Sequence, residues 1–139
     1  MDIYNKPIII YFSLKGCQAC NNFKNEWNKV KDSLRGKANF VEFVDNMPRK
    51  YFEKYVKYFP TIIMVNPTEY YKFYNINNQP KITGLDNYTI PAELFSIVYD
   101  KYNDTLSPGS TPFTAQNVIF FYEKAYNKVM GCQQNNFFY

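Results

Sequence analysis

The sequence predicts an α/β domain: a four-stranded mixed sheet flanked by helices, with one further helix near the C-terminal end. Three observations predict it. A βαβα order runs through the N-terminal part, two short apolar segments then face each other across a turn signal, and an amphipathic stretch lies beyond a Pro-, Gly- and Ser-containing linker. The chain has 139 residues, enough for one sizeable core, and a fifth of them are aromatic, so that core is ring-rich.

Residues 7–13 are continuously apolar and rich in β-branched and aromatic side chains, as a strand buried on both faces requires. Leu14-Lys15-Gly16 turns the chain. Cys20, Phe23, Trp27, Val30 and Leu34 then recur at spacings of three and four, which is one face of a helix closed by Gly36. Asn39 to Val44 reads as a second strand, and Pro48 opens a second helix running through Tyr51, Phe52, Tyr55 and Val56. A strand, a helix and a strand in this order pair in parallel through a right-handed crossover.

Thr61 to Val65 is a short apolar strand after Pro60. Asn66-Pro67-Thr68-Glu69 is a turn signal, and Tyr70 to Ile76 has strand character, so the two segments read as an antiparallel hairpin. Tyr70, Tyr71, Phe73 and Tyr74 alternate along it. One face would then be buried and the other free for self-association, or covered by the C-terminal helix, which is the favoured expectation. A third helix is expected to start near Pro91 and to bury Leu94, Ile97 and Val98. Asn103 to Phe113 reads as a surface linker, and Val118, Tyr122, Ala125 and Val129 mark a last helical face. The expected division is therefore 1–103 for the domain proper and 104–139 for a linker and helical extension packed on it.

Charge and hydropathy exclude some function classes. The net charge of +4 comes from 16 basic and 12 acidic residues scattered along the chain, with no dense basic stripe for a nucleic-acid backbone. No apolar run approaches the roughly 20 residues that span a bilayer. The start, Met-Asp-Ile-Tyr-Asn-Lys, lacks the basic n-region and cleavage site of a secretory signal, so a cytosolic setting is expected. Abundant Asn, Lys, Tyr, Phe and Ile are what A/T-rich codons yield, as in parasites and large DNA viruses; a viral source would add the virion or viral factory to the compartments. Asn87-Tyr-Thr89 and Asn103-Asp-Thr105 match glycosylation acceptors but lack a secretory context.

The chemistry-bearing motif is Gly16-Cys17-Gln18-Ala19-Cys20, a Cys-x-x-Cys between a buried strand and an amphipathic helix, the context in which this spacing means redox chemistry. At a helix start the backbone N–H groups and the macrodipole stabilise a thiolate, which makes Cys17 the nucleophile. Cys20, three residues on, faces the same side and can resolve a mixed disulfide. No cofactor is required. Rival readings are half of a zinc site, two core thiols, and a structural disulfide. Zinc is poorly supplied, since the chain has no His and one further thiol, Cys132. Cys132 itself reads as a tail thiol, with a third redox thiol or an intermolecular crosslink as the sharper reading.

The order β, Cys-x-x-Cys at a helix start, β, α, then Phe59-Pro60-Thr61 leading into a hairpin and a closing helix resembles the thioredoxin and glutaredoxin superfamily over about residues 3 to 103. The resemblance implies a thioredoxin-like fold and a thiol–disulfide oxidoreductase acting on protein disulfides or thiols. It also implies a cis peptide bond at Phe59-Pro60, with Phe59, Pro60 and Thr61 shaping the groove that receives an extended substrate chain. An ordinary loop proline is the alternative.

Departures from the family refine the expectation. The front end has glutaredoxin rather than thioredoxin length, and the thioredoxin Trp before the first Cys and the Gly-Pro between the pair are replaced by Gly16 and Gln18-Ala19. The buried acid of thioredoxins aligns with Tyr11 and its Lys partner with Val41, which implies slower turnover than in a dedicated disulfide reductase. Without a His between the cysteines, a moderate or reducing potential is expected. Ile82-Thr-Gly-Leu-Asp-Asn87 resembles the glutaredoxin segment that holds glutathione, through Gly84 and Asp86, although a turn Gly and a capping Asp fit the same residues. Two alternatives therefore accompany the leading function: a glutathione-linked enzyme with glutathione as co-substrate, and a thioredoxin-fold adaptor with little redox activity.

Overall fold

The computed structural model describes residues 3–81, 88–103 and 112–131. Strand β1 (Ile8–Ser13) is buried at every position and leads through a short turn into helix α1 (Gln18–Ser33). Strand β2 (Asn39–Val44) returns beside β1 in parallel, with Tyr11 opposite Glu42 and Phe12 opposite Phe43. The short helix α2 (Arg49–Phe52) follows Pro48, and β3 (Thr61–Val65) runs antiparallel to β1 on its other side. Helix α3 (Pro67–Tyr71), strand β4 (Ala92–Leu94), helix α4 (Phe95–Tyr102) and helix α5 (Ala115–Met130) complete the described chain. The sheet order is β2-β1-β3-β4, with β4 antiparallel to β3. No helix is long and apolar enough to cross a membrane, among the described residues.

Two cores, one on each face of the sheet, explain why β1 and β3 are apolar throughout. Ile9 and Tyr11 of β1 and Ile62 and Met64 of β3 point to the face covered by α1, α4 and α5, where they meet Phe23, Trp27, Phe95 and Phe121. Ile8, Ile10, Phe12, Ile63 and Val65 point to the opposite face, covered by α2 and α3, where they meet Phe52, Tyr70 and Tyr74. This is period-two alternation with apolar residues in both phases. The α1 face is the expected one: Cys20, Phe23, Trp27, Val30 and Leu34 are all buried.

Three expectations are corrected. Tyr70 to Ile76 is not a strand: Asn66 caps α3 through its side chain, which accepts from the Thr68 N–H at 2.8 Å, and Pro67 sits in the first turn, a start signal that outweighs the β-preference of the aromatic run. Tyr70, Phe73 and Tyr74 are consequently buried in the second core, so they offer no surface for docking, and α5 covers the other face of the sheet instead. Pro91 precedes the edge strand β4 rather than a helix; α4 begins at Phe95, where Phe95 and Val98 are buried, Leu94 is half-buried and Ile97 is exposed. Helix α2 ends at Phe52, leaving Tyr55 in the turn that follows, where its hydroxyl donates to the Ile90 carbonyl at 2.8 Å.

Candidate functional site

The site is built where β1 ends. Gly16 takes a positive φ of 75°, and the Cys17 N–H donates to the Leu14 carbonyl at 3.3 Å, so the chain reverses within a few residues. The turn is tied to the neighbouring strand: the Lys15 N–H donates to Asp45 Oδ1 at 3.0 Å, and the Asp45 N–H to the Ser13 carbonyl at 3.1 Å. Cys17 then occupies the N-cap of α1 with extended backbone angles, and its Sγ accepts from the Cys20 N–H at 3.1 Å. Sulfur thus stands where a Ser or Asp oxygen usually caps a helix, a position that favours negative charge.

Cys17 and Cys20 are joined as a disulfide with their Cα atoms 5.2 Å apart. Their exposures differ: Cys17 is half-buried, whereas Cys20 is 5% exposed. An incoming sulfur therefore reaches Cys17 first. Across the site, the Phe59-Pro60 peptide is cis and the Phe59 carbonyl oxygen lies 3.9 Å from Cys17 Sγ. Pro60 is buried, and so is Thr61, whose hydroxyl donates to the Tyr58 carbonyl at 2.6 Å. Thr61 thus braces the loop rather than facing outward. Leu14 and Tyr58 are exposed apolar side chains next to this surface.

Of the residues singled out in the sequence, Cys17, Cys20, Phe59, Pro60 and Thr61 are brought together. Gly84, Asp86 and Cys132 lie outside the described residues. No group of three or more His, Cys, Asp or Glu side chains converges to hold a metal ion, among the described residues. Tyr11 and Cys20 line one depression; Tyr11 is buried, its ring lies 4.8 Å from that of Trp27, and burial raises its pKa, an effect that a hydrogen bond with Ser13 opposes and Glu42 adds to. Val41 points to the opposite core. Glu42, which the sequence reading did not single out, lies directly across from Tyr11 and is paired with Lys31 at 3.0 Å. The parity of β2 carries the signal, because Val41 and Phe43 are buried in the second core while Phe40 and Glu42 alternate to the α1 side.

No family model and no curated protein matches the chain. Among solved structures, the Trx4 domain of ERdj5 is similar at a TM-score of 0.52 and 11% identity, over 88% of this chain and 82% of that one. A malarial protein is similar at a TM-score of 0.48 and 17% identity, covering 86% of this chain and 97% of that one. Chloroplastic thioredoxin z gives a TM-score of 0.46 and 18% identity, over 88% of this chain and 80% of that one. The likeness to the ERdj5 domain, with the strand order and the flanking helices, shows a thioredoxin-like fold with a Cys-x-x-Cys pair at the start of its first helix.

Proposed function

We propose that this thioredoxin-like chain is a thiol–disulfide oxidoreductase acting on protein disulfides through Cys17 and Cys20. The observation that carries the proposal is the asymmetry of the pair: a half-buried sulfur capping a helix, joined to a buried one a single turn away. In the reductive direction the Cys17 thiolate attacks a substrate disulfide, one substrate sulfur leaves as a thiolate, and a Cys17–substrate mixed disulfide forms. Cys20 loses its proton and attacks Cys17 Sγ, the second substrate sulfur departs, and the Cys17–Cys20 disulfide remains. Two electrons pass to the substrate. The cap hydrogen bond and the macrodipole stabilise the Cys17 thiolate as nucleophile and as leaving group.

The substrate chain would lie extended along Phe59-Pro60-Thr61, near the backbone carbonyl that faces Cys17, with main-chain pairing supplying affinity at little sequence cost. Trapping tests the proposal. A Cys20→Ser variant incubated with a disulfide-containing protein should accumulate a covalent adduct at Cys17 that dithiothreitol releases. The Cys17→Ser variant should accumulate none. Equal labelling of both variants, or of neither, would refute the assignment of roles. A run with glutathione alone reports whether a small thiol also serves as co-substrate.

A further inference from the structure

The two lateral edges of the sheet differ. Strand β4, at one end of the order, is three residues long, whereas β2, at the other, runs for six. Short strands, Pro and bulges are the usual means of blunting an edge, and β2 has none of them. Its free groups follow from the ladder to β1. The Asn39 N–H donates to the Pro7 carbonyl at 3.0 Å, and the Asp45 N–H to the Ser13 carbonyl at 3.1 Å. Strand alternation therefore turns the main chain of Asn39, Val41, Phe43 and Asp45 toward β1, and the N–H and C=O of Phe40, Glu42 and Val44 away from it. No group among the described residues bonds to these three backbones. Val44 is also 41% exposed, so the edge is open to an incoming chain.

The ground beside this edge is cationic. A depression of about 360 Å³ is lined by Glu42 and Val44 of β2 together with Leu14, Lys15, Lys24 and Lys31. Lys31 is paired with Glu42 at 3.0 Å, whereas Lys15 and Lys24 enter no ion pair among the described residues. A second copy of the chain fits this edge poorly. Antiparallel pairing that uses all three outward residues of both copies sets Glu42 opposite Glu42 and brings two lysine-lined flanks onto one side of the joined sheet, and like charges so placed are destabilising. We propose that the outer edge of β2 receives an extended acidic segment of a partner protein as an added strand. The main chain of Phe40, Glu42 and Val44 supplies the donors and acceptors, and carboxylates at alternate positions of the segment reach Lys15 and Lys24 over the depression. Strand β1 separates this edge from β3, and so from Phe59-Pro60-Thr61, which leaves the redox groove free while the partner is held. The inference goes beyond the redox reaction proposed above and does not depend on it.

The experiment titrates the oxidised full chain with two cysteine-free, end-blocked heptapeptides, one alternating Val and Glu and the other Val and Lys, and follows each backbone amide by NMR. The acidic peptide should shift the Phe40, Glu42 and Val44 amides saturably, slow their hydrogen exchange at least about tenfold, and leave Phe59 and Thr61 unmoved. The basic peptide should bind at least about tenfold more weakly. Val44→Pro removes an outward N–H that the ladder to β1 does not use, and should abolish the response. Lys24→Glu, a surface change on α1, should narrow the difference between the peptides, and it keeps the test open if the proline variant fails to fold. Unmoved amides at Phe40, Glu42 and Val44, or equal binding of the two peptides, would overturn the inference. So would protection of the same amides without peptide that grows with protein concentration, which would assign the edge to a second copy. None of these readouts involves a free thiol, so failure here leaves the Cys17–Cys20 reaction standing, and absence of a Cys17 adduct in trapping leaves this edge untouched.

Discussion

At the scale of single residues, the site depends on backbone angles as much as on sulfur. Gly16 sits at φ 75°, where a side chain is strained even though no atom lies within 4 Å of an added Cβ. Gly16→Ala should therefore cost about 1 kcal/mol, read from the urea midpoint, without a steric clash. The Cys-x-x-Cys and the Pro60 loop were legible in the sequence because each is a local pattern whose meaning depends on a few neighbours. Glu42 was not. Its place across from Tyr11 depends on the parity of β2 and the register between two strands, and both are set by which face α1 covers. Tyr11 shows the same limit from the other side: its position was readable, but its company, Trp27 at 4.8 Å and Ser13, belongs to the fold.

At the scale of elements, α5 is attached by two capping interactions and a buried stripe. The Thr114 hydroxyl accepts from the Asn117 N–H at 3.2 Å, and Glu26 of α1 accepts from the Ala115 N–H at 2.9 Å. Thr114→Ala should cost about 1 kcal/mol by chemical denaturation. The Ala115 amide, and after it Lys29, hold the Glu26 carboxyl below its ordinary value of 4.5. A carboxylate depressed in the folded state contributes stability that is fully present above the ordinary value and fades as pH falls through the depressed one. Stability measured as pH is lowered should thus fall less steeply in Glu26→Gln than in the unaltered protein. Elements were legible where one signal dominated, as in β1, α1, β2 and α5. They were misread between residues 66 and 94, where Tyr and Phe favour a strand by propensity while Asn66 and Pro67 start a helix. A three-residue strand running straight into α4 leaves too short a pattern to see.

At the scale of the whole molecule, the sheet is enclosed on both faces, and the Cys17–Cys20 pair sits where the inner strand β1 passes into α1. Phe121 of α5 is fully buried on the face that α1, α4 and α5 share, 5.6 Å from the ring of Phe95. Phe121→Ala should cost about 3–5 kcal/mol, a large part of the 5–15 kcal/mol typical of a domain, and a thermal melt would record it. Helix α5 is accordingly a structural part of the layer behind the site, bound to the same core as Trp27.

An oxidoreductase of the proposed kind cycles Cys17 and Cys20 between dithiol and disulfide. Equilibrating the protein in glutathione buffers of graded potential and trapping free thiols by alkylation tests it most directly. The expected result is a two-electron midpoint between about −270 and −180 mV, abolished by Cys17→Ser. A pair that remains dithiol in every buffer, or that stays oxidised at potentials below about −300 mV as structural disulfides do, would contradict it.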